Sequence, residues 1–230
     1  MARDNLDRKI RFLLDEILVL DSMVETATHE AVEALKKQDT EGAKRIYLSD
    51  SQINSKRFEL ENDCMITIAT QQPIMARDLR LLASILEVVG ELERMGDYAK
   101  GIAKVAILIG KQPLIKPLID IPKMSEIVID MVHRAVGAFV TADSESASLI
   151  PEEDQKVDAL YNSVYLELIN IMSEDPNKID QGNHLMWVAH NLERMADRVT
   201  NICERTIYVV TGQLREIDIS DDEMLVKAAK

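Results

Sequence analysis

The sequence contains two copies of a short segment that carries a pair of carboxylates. The first copy, residues 92–97, reads LERMGD, and the second copy, residues 192–197, reads LERMAD. Each copy places a glutamate four residues before an aspartate, so on an α-helix the two side chains lie on one face. Because like charges at this spacing repel, a cation between them would stabilise the pair. The chemistry that this spacing predicts is therefore cation binding.

A second pair of polar side chains precedes each copy. Asp154 and Asp158 precede the second copy, and Asp50 and Asn54 precede the first copy at matching positions. Since a helix turns by about 100° per residue, Glu204 continues the acidic stripe of the second copy. If the two helices of each half are neighbours, these side chains converge, and their oxygens suit cations such as Mg²⁺, Ca²⁺, Mn²⁺ or iron. The candidate metal ligands are Asp50, Asn54, Glu93, Asp97, Asp154, Asp158, Glu193, Asp197 and Glu204.

The arginine beside each glutamate leaves another interpretation open. Arg94 and Arg194 would form ion pairs with carboxylates, and the acidic stripe would then be a solvated helix face without a metal. The duplication of the pattern at matched positions favours the metal. His190, which stands opposite Gly90 of the first half, is either a further nitrogen ligand or an ordinary surface histidine.

The two halves differ in charge at the candidate ligands. Asn54 stands where the second half has Asp158, and Lys104 stands where it has Glu204. Fewer anionic ligands and a nearby ammonium group weaken the binding of a cation. We therefore expect the second half to bind metal more tightly than the first.

The repeat organises the whole chain. Residues 29–54 align with residues 133–158, and apolar residues recur at helical spacing between the breakers. Aromatic residues make up only 4% of the chain, with 8 glycines and 6 prolines, which favours an all-α protein over a β-sandwich. The predicted helices span about residues 4–37, 40–69, 74–109, 123–141, 151–174 and 180–211.

These helices predict two tandem repeated three-helix bundles with internal pseudo-symmetry. The first bundle comprises residues 1–110 and the second residues 123–212. A proline-rich linker, residues 111–122, joins them, and residues 213–230 form a C-terminal tail.

Composition excludes several classes of function. The net charge of −13 argues against nucleic acid as a partner, since phosphate binding requires clustered lysine and arginine. Cys64 and Cys203 are not part of a CxxC pair, so we expect buried, reduced thiols. Residues 1–20 lack an apolar signal segment, and the chain contains no apolar run of about 18 residues, so we expect a cytoplasmic protein.

Enzymatic activity is not expected from the motifs. The sequence has no phosphate-binding loop and no nucleophile beside a base, so ATP hydrolysis is not expected. A ferritin-like di-iron carboxylate oxidase is an alternative, but such bundles carry Glu-x-x-His motifs, and none of the 4 histidines follows a glutamate at that spacing. A metal-free helical scaffold attached to another transporter or channel is the third possibility.

The segments described above resemble the PhoU family, the regulators of phosphate transport. The resemblance rests on QP-x4-DLR at residues 72–80, LERMGD-x-A at residues 92–99 and NLERMAD-x3-NI-x-E at residues 191–204. The acidic pairs that begin at Asp50 and Asp154 also fit, and the match covers about residues 5–212.

Membership of this family implies two tandem three-helix bundles whose acidic motifs bind divalent or trivalent metal ions, as multinuclear iron or zinc clusters. The implied metal positions are Asp50, Glu93, Asp97, Asp154, Asp158, Glu193 and Asp197. The resemblance further implies a cytoplasmic negative regulator that acts with the ATPase of a phosphate ABC transporter and with a sensor histidine kinase. We also expect a homodimer that reaches the membrane only through its partners.

Overall fold

The chain is mostly helical in the part that the computed structural model describes, residues 2–71 and 73–217. These residues form seven α-helices and two short 3₁₀ turns, and no strand occurs among them. The helices are α1 (Ala2–Lys37), α2 (Thr40–Thr70), α3 (Ala76–Ile109), α4 (Asp120–Thr141), α5 (Ser144–Leu149), α6 (Asp154–Glu174) and α7 (Ile179–Thr211), and the 3₁₀ turns are Ile150–Glu153 and Pro176–Lys178. The predicted all-α class is confirmed. Gln72 and residues 218–230 of the predicted tail lie outside the described residues.

The same turn connects the first two helices of each repeat. Gln38 and Ala142 both adopt a left-handed backbone conformation with φ of 54°, which ends α1 and α4. The next residue is an aspartate in each case, and its carboxylate accepts backbone N–H groups of the following helix, at 2.9 Å for Asp39 and 3.1 Å for Asp143. This capping satisfies donors that have no partner inside the helix, so the repeated aspartate fixes where each second helix begins.

The second helix of the second repeat is interrupted, in contrast to the single helix that the sequence predicts. We expected one helix from near Pro151, but α5 already begins at Ser144, and the 3₁₀ turn Ile150–Glu153 separates it from α6. Proline lacks the backbone N–H and clashes with the preceding helical turn, so an α-helix cannot pass through it unchanged. The first repeat has Tyr47 at this position, and α2 is continuous there.

Each repeat is a bundle of three long helices. Helices α1, α2 and α3 pack on one another, and so do α4, α6 and α7, with α5 lying against α4 and α7. The LERM segments lie in the central helices, where Leu92, Met95, Leu192 and Met195 are at most 1% exposed. The leucine and methionine of the motif therefore belong to the core, while its acidic residues flank the core.

The two bundles share a junction in which α3 packs on α7 and α1 packs on α4. At its centre, Nε of Arg198 donates to the hydroxyl of Tyr98 at 3.0 Å, and Nη1 of Arg198 donates to Glu91 at 2.8 Å. Tyr98 and Arg198 occupy the same position of the repeat. Residues at equivalent positions meet when two copies are related by a local two-fold axis, so the junction is pseudo-symmetric.

A glycine allows the central helices to approach closely. A Cβ atom on Gly101 of α3 would lie 2.7 Å from Cη2 of Trp187 and 3.0 Å from Nδ2 of Asn191, both on α7. Gly101 therefore leaves the space that these two side chains of the other repeat fill.

Both cysteines are buried and unbridged, as predicted. Burial raises the pKa of the Cys64 and Cys203 thiols to about 12, which keeps them protonated. None of the described helices combines the length and the apolar character that crossing a membrane requires.

Candidate metal centre

Carboxylates of α6 and α7 lie near one another in the second repeat. Glu193 is the centre of this group, with its side chain 22% exposed. Burial raises the pKa of its carboxyl above the ordinary value, and the charges of Asp197 and Asp158 raise it further. Asp158 of α6 and Asp197 of α7 are thus near enough for their charges to act on Glu193.

Two further side chains border this group. Nδ1 of His190 lies 3.1 Å from Oε2 of Glu193, so the histidine that the sequence offered as a nitrogen ligand is in direct contact with the carboxylate. The ring of Tyr161 lies 6.2 Å from the His190 ring, and the pKa of Tyr161 is raised by burial and then by the charge of Glu193. Tyr161 was missed in the sequence because a single tyrosine on a polar helix face carries no recognisable pattern.

The remaining acidic candidates of the second repeat have different surroundings. Asp154 is half-buried at the first residue of α6. Oε1 of Glu204 accepts the backbone N–H of Ile217 at 2.8 Å, so this carboxylate holds the segment that follows α7.

The first repeat neutralises its acidic residues with its own cations. Asp50 is 5% exposed, and its Oδ2 lies 2.7 Å from Nζ of Lys100 and accepts from Nδ2 of Asn54 at 2.9 Å. Hydrogen bonding to Asp50, together with the charge of Asp97, raises the pKa of Lys100. Nη1 of Arg57 lies 3.2 Å from Oε1 of Glu93. Lys104, the cation singled out in the sequence, is exposed.

The repeat alignment explains why these cations occur in one half only. Arg57 aligns with Tyr161 of the second repeat, and Lys100 aligns with Thr200. Both basic residues of the first repeat are therefore replaced by neutral ones in the second. Lys100 follows Asp97 by three residues. A position-by-position comparison of the two acidic stripes therefore shows that the first repeat has a cation where the second has none.

The arginines of the LERM segments contact the junction. Nη1 of Arg94 lies 3.3 Å from Glu91, and a hydrogen bond to Tyr98 raises the pKa of Arg194, with a smaller contribution from Asp197. The solvated ion-pair interpretation thus has partial support from Arg194, whose charge also acts on Glu193.

Ligand atoms of the predicted acidic pairs do not converge fully. Within residues 2–71 and 73–217, neither repeat brings three of its predicted carboxylates together with ligand atoms inside 4.8 Å of one another. In the first repeat, Lys100 and Arg57 occupy the space beside the carboxylates. In the second repeat, the repulsion between like charges opposes a closer approach of the carboxylates when no cation lies between them.

Comparison with known proteins agrees with the repeat. The family model described as the PhoU domain matches the chain twice, at residues 17–106 and at residues 121–206. The chain belongs to the PhoU family. The two matches fall on α1–α3 and α4–α7, so the duplicated unit of this family is the three-helix bundle described above.

Relatives in the PhoU family match almost the full length of the chain. The phosphate-specific transport system accessory protein PhoU homolog of Clostridium acetobutylicum is 36% identical over 221 residues, which is 96% of this chain and 100% of that protein. The Escherichia coli K12 protein of this name is 33% identical over 198 residues, covering 86% of this chain and 82% of its own length. The crystal structure of the phosphate transport system regulatory protein PhoU from Streptococcus pneumoniae superposes with a TM-score of 0.84 at 30% identity, over 91% of this chain and 99% of that chain.

Proposed function

We propose that this chain is an accessory protein of a phosphate transport system that represses phosphate uptake and phosphate-responsive signalling when phosphate is plentiful. The observation that carries the proposal is the double match to the PhoU domain, together with relatives named as accessory proteins over nearly their full length. The partners in this proposal are the ATPase of the transporter and a sensor histidine kinase. The role is that of a cytoplasmic regulator without catalysis of its own.

In this proposal, the metal ion binds to the second repeat. Asp158, Glu193 and Asp197 supply oxygen ligands, and His190 supplies a nitrogen that already lies beside Glu193. This mixture of donors suits first-row transition metals such as iron, manganese or zinc. A bound ion would supply the positive charge that Tyr161 and Thr200 do not, and it would lower the raised pKa of Glu193.

The first repeat fits a metal less well. Lys100 and Arg57 each contact one of its carboxylates, so an incoming cation has to displace a side chain that already neutralises the charge. We therefore propose that the second repeat exchanges its cation with solution while the first carries a permanent one. One half of the protein can then respond to metal, and the other half keeps a constant surface.

Phosphate uptake in cells tests the function. Bacterial cells that lack their own PhoU protein would be supplied with this chain, and uptake of labelled phosphate would be measured in phosphate-rich medium. We expect uptake to fall several-fold with the natural chain and to stay high with a Glu193→Gln/Asp197→Asn variant that accumulates to the same level. Unchanged uptake with the natural chain, produced together with a transporter from its own source, would contradict the proposed function. Equal repression by the variant would contradict only the role of the metal.

A further inference from the structure

A third acidic group lies outside the pairs described above, where α1 of the first repeat packs on α4 of the second. It consists of Asp21 and Glu25, one helical turn apart on α1, and His133 on α4. One ligand atom from each of the three lies within 4.8 Å of the other two. Nδ1 of His133 lies 3.0 Å from Oε1 of Glu25. The packing of the two bundles thus assembles three metal-ligating side chains from two separate repeats.

Asp21 gives an independent indication that this group binds something. The residue is 3% exposed, and its Oδ1 atom is buried without a hydrogen-bond donor among the described residues. A buried carboxylate oxygen that lacks a donor is costly, and the cost is removed by a proton or by a cation. Burial and the neighbouring charge of Glu25 raise the pKa of Asp21 to about 8. Both influences on the Asp21 carboxyl, its burial and the neighbouring Glu25, disfavour its charged form.

A metal ion accounts for the arrangement better than a proton alone. A proton shared by Asp21 and Glu25 would neutralise one of the two charges, and it would not require a histidine nitrogen directed at the pair. The side chain of His133 is 70% exposed, so the group is buried on the Asp21 side and open to solvent on the His133 side. This opening gives an ion a path of entry and leaves room for water as a further ligand. Three protein ligands with one open position are common for Zn²⁺.

We propose that Asp21, Glu25 and His133 bind a divalent first-row transition metal ion, best represented by Zn²⁺, which links the two repeats at the α1–α4 contact. The repeat does not generate a second such site, because Ser125 and Ile129 stand at the positions equivalent to the two carboxylates. The proposed ion therefore differs from the ions of the acidic pairs in its position and in its consequence. Binding ties α1 to α4 and stabilises the junction.

Zinc titration of the folded full-length chain tests this site. The acidic pair of the second repeat would first be removed with Glu193→Gln and Asp197→Asn. This double variant is the background protein, in which zinc binding at the proposed site is measured without binding at that pair. Binding would be followed by isothermal titration calorimetry with Zn²⁺ in the presence of excess Mg²⁺, and thermal unfolding would be measured with and without Zn²⁺. We expect this background protein to bind one equivalent of Zn²⁺ with a rise in Tm.

Variants of this background then assign the ligands. Adding Asp21→Asn or His133→Ala should raise the Kd for Zn²⁺ at least about tenfold and remove the rise in Tm. His29→Ala is the matched control, because His29 is exposed and occupies the equivalent position of the first repeat; it should retain both signals. The proposal is overturned if the folded background protein binds no Zn²⁺, or if His133→Ala and His29→Ala bind it equally well. Circular dichroism spectra verify that each variant is folded.

Discussion

Two glycines of helix α3 offer a matched test of how closely the repeats pack. Gly90 and Gly101 lie on the same helix, but an added Cβ atom meets nothing within 4 Å at Gly90, whereas at Gly101 it would lie 2.7 Å from Trp187. Replacing glycine by alanine inside a helix gains about 1 kcal/mol from backbone conformational preference. At Gly90 this gain should appear in full.

At Gly101 the gain is opposed by overlap with α7. Contacts of 2.7 Å and 2.9 Å to the Trp187 ring, and 3.0 Å to Asn191, require these side chains to move. Overpacking of a close-packed region costs about 1–3 kcal/mol. Trp187 is 45% exposed and can shift outward, but Asn191 is 5% exposed and cannot, which places the cost near 2 kcal/mol. The net loss for Gly101→Ala is then about 1 kcal/mol, and the two variants differ by about 2 kcal/mol.

Thermal unfolding measures this difference directly. For a chain of this size, 1 kcal/mol corresponds to a shift in Tm of about 2–4 °C, so Gly90→Ala should rise and Gly101→Ala should fall by about that amount. Combining Gly101→Ala with Trp187→Leu should recover part of the loss, because the smaller side chain removes the overlap. If Gly101→Ala raised Tm as much as Gly90→Ala, the close contact between α3 and α7 would not exist in solution.

Two further outcomes are expected from the carboxylates. During dialysis against EDTA, Asp197→Asn should lower the amount of divalent metal bound to the purified protein, while Asp97→Asn should leave it nearly unchanged. Elemental analysis measures the bound metal. Equal losses in the two variants would show that the charges of Lys100 and Arg57 do not determine which repeat binds metal more tightly. Replacing Lys100 by methionine should destabilise the protein by about 2 kcal/mol in urea unfolding, because it leaves the buried carboxylate of Asp50 without its cation. The control Lys104→Met should stay within about 0.5 kcal/mol, since Lys104 is exposed; similar losses in both variants would refute the pairing.

Helix positions could be predicted because they depend on local signals. Apolar spacing and breakers located the six long helices to within a few residues, and the duplicated motif related the halves. The break at Pro151 was also local, but the prediction took it as the start of a helix, since proline is common in a first helical turn. In fact a short helix precedes Pro151, and the side chain of Asp143 caps it and accepts from the hydroxyl of Ser146. This helix has six residues, which are too few for its periodicity to be recognised in the sequence.

The ion-pair partners of the acidic residues could not be predicted from the sequence of a single helix. The pairing of Asp50 with Lys100, and of Glu93 with Arg57, depends on how α2 and α3 face each other, which helical spacing does not determine. The group of Asp21, Glu25 and His133 was even harder to predict from the sequence. Its ligands come from different repeats, and only the junction between the bundles brings them together.

The contact between Tyr98 and Arg198 has a consequence for how such a protein can arise. Two identical copies of a single repeat would meet through the same face as a symmetric dimer, with position 98 of each copy at the axis. In such a dimer every substitution appears twice, so a cation introduced beside one acidic pair is introduced beside both. Joining the copies into one polypeptide removes that constraint. The exchange of Lys100 for Thr200, and of Arg57 for Tyr161, is a divergence that a dimer of identical copies could not have.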